Sequence, residues 1–100
     1  MSDLCLTLVF PPPIEEKLLD ALLLSASERV FTSVAAAAHG LRHESMNDTE
    51  RVRGRSRATH VQLVIPASEK DALIAMLRER FAGTSLRYWI TPVIETGGPL

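Results

Sequence analysis

The stretch RVFTSVAAAA, Arg29 to Ala38, decides the fold. Its four closing alanines favour a helix, since alanine is the best helix former. Its opening residues Val30, Phe31, Thr32 and Val34 are β-branched or aromatic types that suit a pleated, half-buried surface. His39 and Gly40 then end the run. We read it as a strand, because the β-forming residues lead into the alanines. Four alanines in a strand imply that another backbone, such as that of another subunit, approaches closely.

Working outward toward the N-terminus, DLCLTLVF (Asp3 to Phe10) alternates Leu4, Leu6, Leu8 and Phe10 with Cys5, Thr7 and Val9. Both faces are mostly apolar, as in a central strand. Pro11 to Pro13 stop it. Proline is tolerated in a first helical turn, and Glu15 and Glu16 suit the positive end of the helix dipole. Ile14, Leu18, Leu19, Leu22 and Leu23 then form an apolar stripe, so a first helix is predicted to end near Leu24 to Ser27.

Working outward toward the C-terminus, Arg57 to Pro66 reads as a third strand with Val61, Leu63 and Ile65 on one face. Ser68, with Asp71 three residues on, is predicted to cap a second helix. Leu73, Met76, Leu77 and Phe81 give that helix its apolar face, and Gly83 ends it. Leu86 to Glu95 is a fourth strand. Pro92 cannot donate to a ladder, so the strand belongs at an edge. The order β-α-β-β-α-β predicts an α+β, ferredoxin-like fold over a single domain, 1–100. It has a four-stranded antiparallel sheet with two helices on one face, strands one and three being central. The helices leave the other sheet face open although the strands carry apolar residues there. A partner subunit is the simplest cover.

Composition narrows the function classes. Of 100 residues, 46% are hydrophobic and 23% charged, and the net charge of −1 gives no overall pull toward nucleic acid or acidic membranes. RNA-binding domains of this topology stack bases on aromatics of the central strands; here those strands offer only Phe10, so no nucleic-acid partner is expected. The single Cys5 excludes an internal disulfide and the paired thiols of a copper carrier. It reads as a small buried apolar residue. The start shows no basic n-region followed by an apolar core. No apolar run approaches the roughly 20 residues of a membrane span. A cytoplasmic location is the expectation.

The connection from His39 to Arg57 is long for a compact domain and lacks a sustained apolar period, which marks a functional or disordered segment. Leu41 to Val52 is predicted to be poorly ordered without a ligand. Arg51, Arg53, Arg55 and Arg57 follow one another at two-residue spacing around Gly54. Extended, all four point one way and repel one another, so they need an anion, an acidic partner or water. The alternatives are a phosphate-type anion site and a solvated hairpin paired with Glu44, Asp48 and Glu50. His39 and His43 share the i,i+4 spacing of a metal pair, with Met46 and His60 as further donors, though Gly40 interrupts a regular helix. Tyr88 to Ile90 reads as core or interface. No nucleophile comes with a base and an orienting group, so no enzymatic activity is expected.

Several pieces taken together carry a resemblance: LTLVFPPPIEEKLLDALL, the AAHG after strand two, ERVRGRSR before strand three and YWITPV in strand four. From Leu4 to Gly97 the chain resembles the small PII-like proteins of proteobacteria, which are related in fold to PII signalling proteins and CutA. The resemblance implies a homotrimer with inward-facing sheets and a signalling role without catalysis. It also implies a small anion or nucleotide bound between subunits, and a loop that reaches a partner. Carried over, His39 and Gly40 form one side of the loop base, and Arg53, Gly54 and Arg55 the other. Genes of such proteins often lie beside heavy-metal efflux pumps, which makes a membrane transporter or efflux component the expected partner. The competing role is a metal-binding accessory protein using His39 and His43. The loop has no tyrosine, so uridylylation is not expected. Ala82 to Ser85 lacks the lysine of a PII phosphate loop, which puts ATP binding of the PII kind in doubt. The identity of the ligand stays open.

Overall fold

Alternation in the first strand sets the architecture. The computed structural model describes residues 2–25, 30–40 and 55–100. Strand β1 spans Asp3–Phe10 and is followed by a 3-10 turn over Pro12–Ile14 and helix α1, Glu15–Ser25. Strand β2 covers Phe31–His39 and β3 covers Arg55–Pro66. A second 3-10 turn, Ala67–Glu69, leads into α2, Lys70–Phe81, and β4 runs over Arg87–Val93. The four strands form one antiparallel sheet in the order β2-β3-β1-β4, with β1 and β3 central and β2 and β4 at the edges. The alanine-bearing stretch is thus a strand along its described length, and Pro92 lies where no further strand needs its missing N–H.

The core lies between the sheet and the helices. Leu6, Leu8 and Phe10 of β1 and Val61, Leu63 and Ile65 of β3 pack with Leu18 and Leu22 of α1 and Leu77 and Phe81 of α2. The register places Leu6 opposite Leu63 and Leu8 opposite Val61, so both central strands aim the same phase at the helices. Thr59 of β3 donates a hydrogen bond from Oγ1 to Glu15 Oε1, tying the start of α1 to the sheet across 44 residues of sequence. Hydrogen bonds to a charged group contribute about 1.5–3 kcal/mol, and Glu15 is partly solvated, which favours the low end. Thr59→Val, which keeps the shape, should therefore lower stability by about 1.5 kcal/mol in urea unfolding. An unchanged midpoint would show that the bond contributes nothing.

Two local expectations need correction. Ser68 does not cap α2. The chain enters through the 3-10 turn, the residue at the cap is Glu69, and no side chain makes a capping bond there. Ser68 lies inside this turn, in which the Lys70 N–H bonds the Ala67 carbonyl. Asp71 instead pairs with Lys70 at 3.2 Å on the surface. Cys5 is partly exposed rather than buried. It lies in the sheet-face phase opposite Leu4 and Leu6, where no helix covers it. Gly83 ends α2 with φ +79, as its position predicts, and Thr84 returns hydrogen bonds to the Phe81 carbonyl. Among the described residues, no helix is long and apolar enough to cross a membrane.

Candidate functional site

Unequal strand lengths create the site. β3 has 12 residues and β1 has 8. Pairing between them ends at Phe10 with Thr59, whereas β3 continues to Arg55 paired only with β2. Residues 55–58 therefore leave the body as part of a two-stranded ribbon. At the same level the three prolines turn β1 away, and β4 begins only at Arg87, opposite Val9. This step in the sheet encloses a groove of about 570 Å³.

Its floor is built from the sheet face that the helices do not cover. Ser56, Ala58 and His60 follow one another along β3 at two-residue spacing, with Ala38 of β2 beside Ser56 and Val9 of β1 beside His60. The small side chains keep the floor low at the ribbon end. At the other end His60 meets Trp89 of β4 edge to face, with ring centroids 6.1 Å apart and an interplanar angle of 80°. Trp89 is 47% exposed, a large open ring surface on an otherwise small protein. Phe10 to Pro13 supply one wall, and Ser85 and Arg87 reach the groove from the start of β4.

The charged groups are of one sign. Arg87 and His60 line the groove from the helix-free face, Arg57 and His39 line it from the opposite strand phase, and no carboxylate is among the described residues that line it. Such a surface suits an anion, because guanidinium forks match carboxylate and phosphate oxygens. One polar group is out of balance. Ser56 is 6% exposed and its Oγ has no hydrogen-bond partner among the described residues. A buried hydroxyl left unpaired costs about 1–3 kcal/mol.

The residues expected from sequence are divided by the structure. His39 lies on the groove and closes β2 opposite Arg55. Gly40 follows at φ +80, a backbone conformation that favours glycine, and so sets the direction in which the chain leaves the sheet. Arg53, Gly54 and Arg51 lie outside the described residues, as do His43, Met46 and the whole of 41–52. Among the described residues, no three His, Cys, Asp or Glu side chains come together to hold a metal. Sequence reasoning missed Ser56, Arg87 and Trp89. It included Arg57 in the arginine run offered as an anion site, and read the aromatic triplet as core or interface. Ile90 does pack against the core, but Trp89, one residue earlier, belongs to the opposite face.

Comparison with known proteins adds context for this geometry. The family described as "Protein of unknown function (DUF3240)" matches residues 1–99. A DUF3240 family protein from Shewanella baltica OS155 is similar in structure, with a TM-score of 0.79 at 18% identity over 98% of this chain and 97% of that one. CPII, a nitrogen regulatory PII-like protein from Thiomonas intermedia K12 bound to ADP, AMP and bicarbonate, has a TM-score of 0.73 at 17% identity. The match covers 100% of this chain and 98% of that one. CutA1 from Pyrococcus horikoshii has a TM-score of 0.71 at 11% identity over 96% of this chain and 88% of that one. At these identities the likeness is one of fold. No curated protein matches the sequence.

Proposed function

The chain belongs to the DUF3240 family, and from that premise we propose that it is a non-enzymatic, PII-like sensor or adaptor that binds a small anion or nucleotide in the groove at the sheet step. The observation that carries this reading is a concave site lined by Arg57 and Arg87 with no acidic residue among its described lining. The ADP, AMP and bicarbonate bound to CPII, which shares the fold, support the same ligand class. His39 and Gly40 lie at the start of the segment that leaves the sheet here, and Arg53, Gly54 and Arg55 at its return. Occupancy of the groove is thereby linked to the 39–57 segment, through which the protein addresses its partner. A heavy-metal efflux component in the membrane is the expected partner from the sequence resemblance alone.

Assembly belongs to the same proposal. The uncovered sheet face carries Val34, Val64 and Trp89 at 61%, 42% and 47% exposure, more apolar surface than a lone protomer favours. A homotrimer with these faces turned inward would cover it and set the groove beside a neighbouring copy.

The deciding experiment is a thermal-shift panel of AMP, ADP, ATP, bicarbonate, inorganic phosphate and divalent metals. A ligand at 100 times its Kd stabilises the folded state by about 2.7 kcal/mol. At about 4–8 °C per kcal/mol, the cognate anion should raise Tm by about 10 °C or more. A panel in which only divalent cations raise Tm would replace this reading with that of a metal-binding accessory protein.

A further inference from the structure

We propose that the step in the sheet is a docking slot for an extended acidic segment of a partner protein, which adds as a short strand beside residues 55–58 in the lane that β1 vacates and presents one carboxylate to each face. This rests on the reading of the groove as an anion site and names the partner chemistry that its two-sided charge suits.

The main chain offers the slot. β1 pairs with β3 as far as Phe10 with Thr59, and β3 runs on to Arg55 with β2 alone beside it. Among the described residues, no strand lies along the other side of 55–58. A strand edge is a row of N–H and C=O groups ready to pair with another chain. The vacant lane over 55–58 is about 13 Å long at 3.3 Å per residue. Pro11, Pro12 and Pro13 stand at its head and have no N–H to donate, so the continuation of β1 cannot complete the ladder itself. The groove holds about 570 Å³, against roughly 30 Å³ for one water, so a compact oxyanion leaves most of it open.

The side chains select what enters. Arg87 and His60 both lie level with Val9 of β1 and belong to the helix-free face. Arg57 is in the strand phase of Val61 and Leu63, and His39 pairs with Arg55 in that same phase, so Arg57 and His39 line the groove from the other face. A compact anion seated at one arginine lies across the sheet from the other. Successive residues of an extended chain point to opposite faces. Two adjacent acidic residues in the lane therefore turn one carboxylate to the face of Arg57 and the next to the face of Arg87, where guanidinium forks match carboxylate oxygens. No acidic residue among the described lining opposes them. In strand additions of this kind the main-chain bonds supply affinity and the alternating side chains supply specificity.

The test is calorimetry of the full chain with the acetylated and amidated peptide Thr-Val-Glu-Glu-Val-Thr. It should bind at least about tenfold more tightly than Thr-Val-Gln-Gln-Val-Thr, which has no charge, and than Thr-Glu-Val-Glu-Val-Thr, which turns both carboxylates to one face. N-methylation of alternate peptide nitrogens along one edge should weaken binding by about tenfold or more, and along the other edge change it little. Arg57→Ala and Arg87→Ala should each weaken the parent peptide by about tenfold. Equal binding of the three sequences, or of both N-methylated forms and the parent, would overturn the strand slot. No peptide binding while a small anion of the thermal panel raises Tm would overturn it and leave the anion site standing. Peptide binding with every small anion silent would keep the slot and remove the small-ligand reading, and silence from both would remove both. Peptide binding that lowers the mass seen by light scattering would assign the lane to a neighbouring copy and overturn the proposal.

Discussion

A glutamate in place of Val34 should turn the assembled protein into folded monomers. Val34 lies in the edge strand β2, 61% exposed, opposite His60 in the ladder and on the sheet face that the helices leave open. In a lone protomer the new carboxylate would point into water, and surface changes of that kind usually alter stability by no more than about 0.5 kcal/mol. In the trimer proposed above, the same carboxylate would be buried in each of the copies, with only the His60 side chain opposite it in the ladder. The effective penalty for burying an unpaired ion is several kcal/mol, and symmetry applies it at every interface. Light scattering at micromolar concentration should then give the protomer mass for Val34→Glu and three times that mass for the wild type. Circular dichroism should be the same for both. A variant that keeps the wild-type mass would show that this face is not where the copies meet.

Arg57→Ala should weaken the binding of the cognate anion by about ten- to a hundredfold. Charge-assisted hydrogen bonds contribute about 1.5–3 kcal/mol, and 1.4 kcal/mol is a factor of ten in Kd. Arg57 lines the groove from the ribbon, beyond the last residue of β1 paired to β3, so its loss removes charge from the site and leaves the core between sheet and helices untouched. Arg57→Lys should recover only part of the affinity, since an ammonium restores the charge without the planar fork. Calorimetry of the three proteins at low and moderate salt gives the comparison. Losses that disappear as salt rises would identify a diffuse field of exposed charge instead of a seat for a particular anion.

The backbone plan was legible in the sequence because each element carries its own period. The two-residue alternation of Leu4, Leu6, Leu8 and Phe10 fixes which face of β1 meets the helices, and the β-branched lead into Ala35 to Ala38 outweighs the helix preference of alanine. The groove was much less legible, because it belongs to no single element. It arises where β3 outruns β1 by four residues, and that offset is a matter of register between strands more than 40 residues apart. The sequence shows that Trp89 alternates with Tyr88 and Ile90, but not that its ring meets His60 across an intervening strand. Ser56 carried no signal of its own: a serine between two arginines reads as an exposed residue until the fold buries it. The failed cap at Ser68 has a similar cause, because a 3-10 lead-in moves the cap position by one residue, to Glu69, without disturbing the apolar stripe.

Mechanically, the projecting end of the β2–β3 pair is a cantilever. Along residues 55–58 it has lost the support of the third strand, and two-stranded ribbons twist more than strands held within a sheet. The root of this beam is also the rim of the groove. A molecule wedged between the root and the body acts as a brace, taking up torsion that the bare ribbon would otherwise be free to express. On the function proposed above, an occupied groove would need no hinge between domains to be reported, because stiffening this one short beam would be enough.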